Sequence, residues 1–119
     1  MAAGFLTTHV LDTARGVPAT GLTISLFSIH EDSSQLIRTT TTNADGRTDS
    51  PILPAAEFQA GRYRLMFHAG AYLEAHFAEL PEPKFLSDIP IDFAIADPAA
   101  HYHVPLLLSP FGYSTYRGS

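Results

Sequence analysis

Residues 61–68, GRYRLMFH, alternate Tyr63, Leu65 and Phe67 with Arg62, Arg64 and His68. A period of two places the first set on one face and the second on the other, which predicts a β-strand with one dry and one wet face. The same grammar extends in both directions. Upstream, residues 22–29 (LTISLFSI) set Leu22, Ile24 and Leu26 on one face. Residues 36–42 (LIRTTTT) are β-branched and run into Asn43-Ala44-Asp45-Gly46, a turn in which Gly46 can take the left-handed conformation, with Arg47 directly after it. Nearer the start, residues 5–12 (FLTTHVLD) predict a strand that ends at the turn-rich stretch TARGVPATG. Downstream, residues 71–79 (AYLEAHFAE) break the alternation with good helix formers and predict one short helix, stopped by Pro81 and Pro83. Residues 89–95 (IPIDFAI) oppose Ile89, Ile91, Phe93 and Ile95 to Pro90 and Asp92, and Pro90 favours an edge or the start of a strand. Residues 101–108 and 112–117 predict the last two strands. Many short strands and one helix too small to cover a sheet predict an all-β fold, a sandwich of two stacked antiparallel sheets.

Length and composition agree. At 119 residues the chain predicts a single domain over residues 1–119, with no room for a second. Hydrophobic residues at 45% against 16% charged argue for a packed core rather than a disordered segment. The net charge of -5 repels phosphate backbones and anionic headgroups, so neither nucleic acid nor a membrane is an expected partner. No cysteine is present, which removes disulfides, thiolate metal sites and a cysteine nucleophile. The opening residues, MAAGFLTTHVLD, have no basic and apolar signal segment, and Arg117-Gly118-Ser119 is not the usual peroxisomal tripeptide; the expected location is cytoplasmic.

Sorting strand residues by face locates the candidate chemistry. In residues 5–12, Leu6 and Val10 share one face while Phe5, Thr7, His9 and Leu11 share the other. In residues 101–108, Tyr102, Val104, Leu106 and Leu108 make a core face and leave His101, His103, Pro105 and Leu107 outside. Apolar residues beside outward histidines suggest a face covered by another subunit, with the histidines lining an interface cleft. No acidic residue occurs in residues 1–11 or after Asp97, so if both terminal segments converge, His9, His101, His103 and Arg117 make a locally positive field that draws an anionic or carbonyl-rich small molecule.

Each of these residues also has a plainer reading. His30, His68 and His76 read as structural or solvated, and Arg47 and Arg117, taken singly, as solvated charges. His101-x-His103 projects two rings side by side and could bind zinc with His9, although no neighbouring carboxylate orients the pair. Ser114, Thr115 and Ser119 lie near histidines, but no Gly-x-Ser-x-Gly elbow and no evident acid support a serine nucleophile.

These residues also carry a resemblance. Leu6-Thr7-Thr8-His9-Val10-Leu11-Asp12, Asn43-Ala44-Asp45-Gly46-Arg47, His103-Val104-Pro105-Leu106-Leu107-Leu108-Ser109-Pro110 and Tyr113-Ser114-Thr115-Tyr116-Arg117-Gly118-Ser119 together resemble the 5-hydroxyisourate hydrolases, the transthyretin-related proteins of purine catabolism. The likeness runs end to end, and the closing Tyr-Arg-Gly-Ser is its most specific mark. It implies a transthyretin-like sandwich of two four-stranded sheets with one short helix, assembled as a homotetramer (a dimer of dimers) with sites at the dimer–dimer interface. It also implies hydrolysis of the N1–C6 amide of 5-hydroxyisourate to 2-oxo-4-hydroxy-4-carboxy-5-ureidoimidazoline, without metal or organic cofactor. His9, Arg47 and His103 are the implied catalytic residues; His9, Arg47, Tyr116 and Ser119 are the implied substrate-binding residues. The thyroid-hormone carrier branch lacks these histidines and this tail, which favours an enzyme over a carrier. Two alternatives stay open: a non-enzymatic binder of a small aromatic ligand, and a zinc hydrolase on His9, His101 and His103.

Overall fold

The computed structural model describes residues 4–118. Among these the strands are β1 (Phe5–Thr7), β2 (Val10–Asp12), β3 (Val17–Pro18), β4 (Thr23–His30), β5 (Ser33–Thr41), β6 (Gly61–His68), β7 (Asp88–Ile95), β8 (His101–His103), β9 (Leu106–Ser109) and β10 (Gly112–Thr115), with one helix, α1 (Ala69–His76), and a 3-10 turn at Ala55–Glu57. One four-stranded sheet runs β5-β4-β6-β7, all antiparallel; the other runs β10-β9-β2-β3, and β1 pairs with β8 beside it. The expected all-β sandwich of two four-stranded sheets is therefore the observed one, but the expectation that both sheets are antiparallel is not met: β9 runs parallel to β2, and β8 parallel to β1.

The core follows the alternation in the sequence. Ile24, Leu26, Leu65, Phe67, Ile89 and Ile95 from one sheet, with Leu22 just before β4, pack in one core with Val10, Leu106 and Leu108 from the other and Leu6 from β1, all essentially without solvent contact. Burying aliphatic side chains at roughly 1.5–3 kcal/mol each is what holds two faces of this size together. Pro90 lies on the edge strand β7, opposite Met66, where its missing N–H costs no ladder bond.

Three further expectations are corrected. First, the strands expected at 5–12 and 101–108 are each split in two. Proline at position 105 has no amide hydrogen to offer, and the Thr8 hydroxyl donates to the Val104 carbonyl at 2.6 Å, so the ladder steps sideways here. Backbone bonds from Val104 N–H to Thr7 C=O (3.0 Å) and from Leu106 N–H to His9 C=O (2.9 Å) carry the parallel pairing across the break. Second, Pro105 is buried rather than outside. Third, the helix spans Ala69–His76 instead of 71–79. Gly70 packs so closely on Ser87 that an added Cβ would lie 2.6 Å from its hydroxyl, and this packing overrides the low helix propensity of glycine. At the other end Phe77 turns to extended backbone, its N–H closing the helix on Leu73 C=O at 2.8 Å. The turn-rich TARGVPATG also contributes the short β3, paired with β2.

Candidate active site

Parallel pairing of β1 with β8 sets Phe5 opposite His101, Leu6 opposite Tyr102 and Thr7 opposite His103. Thr7 thus stands between two histidines on one face. Its Oγ1 lies 2.7 Å from His101 Nε2 and 2.8 Å from His103 Nδ1. The His101 ring stacks on Phe5, with centroids 4.3 Å apart.

Arg47 arrives from the 43–47 turn. Asn43 closes that turn with its own side chain, Oδ1 accepting from the N–H groups of Asp45 and Arg47 at 2.9 and 3.2 Å. Gly46 has φ +74°, and an added Cβ would lie 2.4 Å from the Val10 carbonyl oxygen. That close approach allows the Gly46 carbonyl to accept from Val10 N–H at 2.8 Å, which staples the turn to the start of β2. Arg47 and His103, 56 positions apart in the chain (103 minus 47), line one hollow of about 440 Å³ together with Thr7, Thr8, His101 and Asp49.

The hollow tunes His103. Burial pushes its pKa below the usual histidine value, and the positive charges of Arg47, His101 and His9 push it the same way. At neutral pH the ring is therefore neutral and able to accept a proton. Arg47 presents a planar donor fork in the same space, suited to carbonyl oxygen and to charge developing on it.

Not every expected residue converges here. His9, at the β1–β2 break, does not line the hollow, although its charge acts on His103. Tyr116 lines a second, more apolar hollow of about 180 Å³ with Phe93, Tyr102, Val104 and Arg117. Arg117 is a tail anchor: its guanidinium lies 4.0 Å over the Tyr102 ring, and Nη2 donates to the His101 carbonyl at 3.4 Å. Ser119 lies outside the described residues. Thr115 donates its hydroxyl to the Pro105 carbonyl at 2.7 Å, a structural bond.

Three features went unread in the sequence. Asp49 adds a carboxylate to a hollow expected to hold only cations; it accepts from Asn43 Nδ2 at 3.0 Å, and its place in the loop after Arg47 was the available signal. The Thr7 hydroxyl, legible in the sequence only as a residue of the outward face, bridges His101 and His103. Gly118 seals the ring from behind: its N–H donates to His103 C=O at 2.7 Å, and an added Cβ would lie 2.5 Å from His103 Cδ2. Among the described residues no three His, Cys, Asp or Glu side chains gather as a metal site, and the facing nitrogens of His101 and His103 are both taken up by Thr7. A Ser25–His68–Asp88 line does form across β4, β6 and β7, at 3.0 and 3.3 Å. Ser25 is only 6% exposed and also bonds Thr39, so this is a cross-strand network rather than a nucleophile open to substrate.

Comparison with known proteins shows what the chain is similar to. The profile of the HIUase/Transthyretin family matches residues 6–118. The protein called 5-hydroxyisourate hydrolase 2 of Rhizobium meliloti is 58% identical over 116 residues, covering 98% of this chain and 97% of that one. Among solved structures, (S)-allantoin synthase superposes with a TM-score of 0.92 at 42% identity, covering 99% of this chain and 44% of that chain, so this chain spans less than half of it. Sea bream transthyretin in complex with thyroxine superposes with a TM-score of 0.84 at 29% identity, covering 95% of this chain and 93% of that chain.

Proposed function

This chain belongs to the HIUase/transthyretin family, and we propose that it opens the N1–C6 amide of 5-hydroxyisourate in the hollow shared by Arg47 and His103. The protein is a hydrolase, and its product is 2-oxo-4-hydroxy-4-carboxy-5-ureidoimidazoline. The observation that carries the assignment of roles is the meeting of a neutral, partly buried imidazole with a guanidinium in one hollow.

The steps follow from those two groups. His103 takes a proton from water as the oxygen attacks C6, and Arg47 donates to the oxyanion that forms. Collapse breaks the C6–N1 bond, and the proton held on His103 passes to N1, leaving a ureido group and a carboxylic acid that gives its remaining proton to solvent. His9 lies outside the hollow but its charge reaches His103, and it contributes to binding and positioning. No step calls for a metal or an organic cofactor.

The tail has a part that a single chain does not complete. Tyr116 faces the second hollow, so its expected role in binding, with that of Ser119, belongs to an assembled site. The proposal is a homotetramer, a dimer of dimers whose dimer–dimer interface closes over the hollow. The half-exposed to exposed Phe111, Tyr113 and Tyr116, at 62%, 44% and 59%, support a covered face. The proposal keeps the cytoplasmic location, where a chain without cysteine has no disulfide to lose.

The test is the ultraviolet decay of freshly made 5-hydroxyisourate with purified protein, read against the spontaneous rate. Clear acceleration is expected, and His103→Ala should lower kcat by ~10² to 10⁴, the usual range for loss of a general base. Absence of acceleration would leave a ligand-binding role in its place.

A further inference from the structure

A threonine hydroxyl has one hydrogen to give and two lone pairs, so a hydroxyl bonded to two ring nitrogens either donates to one and accepts from the other or accepts from both. Thr7 Oγ1 is in that position, 2.7 Å from His101 Nε2 and 2.8 Å from His103 Nδ1. His103 has a bare Nε2 only where its Nδ1–H donates to Thr7 Oγ1, and the arrangement that also uses the Thr7 hydrogen within the bridge runs Thr7 O–H to His101 Nε2. The opposite polarity puts the hydrogen on His103 Nε2 and removes its capacity to accept one.

We propose that Thr7 and His101 are positioning residues that lock His103 in its Nδ1–H tautomer, so that Nε2 meets the attacking water as a lone pair. This deepens the functional reading above and rests on His103 being the base. Three observations select this polarity and hold it. Arg47 lines the same hollow as His103, and a lone pair facing that cation is favoured over an N–H dipole facing it. His101 is pinned by its stack on Phe5 and, through its carbonyl, by Arg117, so the acceptor at the far end of the chain stays in place. Gly118 packs against the Cδ2 edge of His103, so closely that an added Cβ would lie 2.5 Å from it, which narrows the room for the ring to swing off Thr7.

The charged groups around His103 are Arg47, His101 and His9 on the positive side and Asp49 on the negative side of the hollow. With the ring neutral, the tautomer decides whether it can act as a base. Thr7 is suited to the task because its β-branched side chain is stiff about χ1 and its backbone is fixed by the Val104 N–H.

Long-range proton–nitrogen NMR on the full protein reads the tautomers directly. The expected spectrum above the histidine pKa shows His103 protonated on Nδ1 and His101 bare at Nε2. Thr7→Val should abolish that preference and lower kcat by about 10-fold to 100-fold with little change in KM, less than the ~10⁴ lost when a buried carboxylate partner of a catalytic histidine is neutralised. Thr7→Ser should restore both the tautomer and most of kcat, and the wild-type spectrum stands even if the valine variant folds poorly. His103 found protonated on Nε2 in the wild type, or a Thr7→Val protein with unchanged spectrum and turnover, overturns the proposal. The two readings separate: a locked tautomer with His103→Ala still active refutes the base assignment alone, whereas an inactive His103→Ala with an unlocked wild-type ring refutes the role of Thr7 alone.

Discussion

The role proposed for His103 rests on its surroundings: Thr7 bonds Nδ1, Gly118 packs against Cδ2, and Arg47 lines the same hollow. Replacing Gly118 by alanine brings a methyl group 2.5 Å from the ring, so either the ring moves or the bridge from Gly118 N–H to the His103 carbonyl opens. We expect kcat to fall about 10-fold to 100-fold, the order associated with an ångström of misplacement at a reacting centre. The melting temperature should barely move, since the tail packs on the surface; calorimetry beside steady-state kinetics checks both. A Gly118→Ala enzyme with normal kcat would show that the tail does not set the ring. The sequence marked His9, Arg47 and His103 through alternation and the family likeness, yet it concealed Gly118 and Thr7. A missing side chain and a shared hydroxyl matter only once two strands lie side by side.

The 43–47 turn and the β1–β2 and β8–β9 breaks are the elements that bring distant residues to one hollow. Gly46 is the hinge of that delivery, since its φ of +74° and its approach to the Val10 carbonyl exclude a Cβ on two separate grounds. Gly46→Ala should destabilise the fold by about 1–3 kcal/mol, the order of strain for a non-glycine residue held in the left-handed region, and should also lower kcat by displacing Arg47. Denaturant melts and turnover measured together check this; a Gly46→Ala protein of native stability would contradict it. The turn was legible from Asn43 to Gly46 because its chemistry is local, an asparagine side chain capping backbone two and four residues on. The strand breaks were not, although Pro105 is visible in the sequence. Proline forbids one hydrogen bond, but that Thr8 accepts the task of satisfying Val104 depends on pairing 96 residues apart. The helix was found but set late, because packing of Gly70 on Ser87 outweighs local propensity.

For the molecule as a whole, the sandwich was legible because β6, β7 and β9 keep period-two burial, as in β6, where Tyr63, Leu65 and Phe67 are buried, whereas β4 buries Ile24, Ser25 and Leu26 in succession and β5 buries none of its residues. The assembly is what a single chain leaves to experiment. If the tail of Tyr116 to Ser119 completes the site only between copies, specific activity should fall as the protein is diluted through tetramer dissociation, tracked by light scattering or analytical ultracentrifugation. Undiminished specific activity in a proven monomer would remove the interface from the site. A neutral His103 that shares its hollow with Arg47 is the core of the proposed chemistry, and the expected sign with pH follows: burial and the neighbouring cations lower its pKa, so a base at this position should stay active into mildly acidic solution and be lost only when pH falls through that depressed value. The most direct measurement is kcat for 5-hydroxyisourate hydrolysis from about pH 5 to 8, with spontaneous decay subtracted, the range over which histidine changes charge. A single acid limb falling below the ordinary histidine pKa is the predicted profile; a kcat that stays flat to the acid end, or that rises as the ring becomes protonated, would contradict a neutral imidazole as the base.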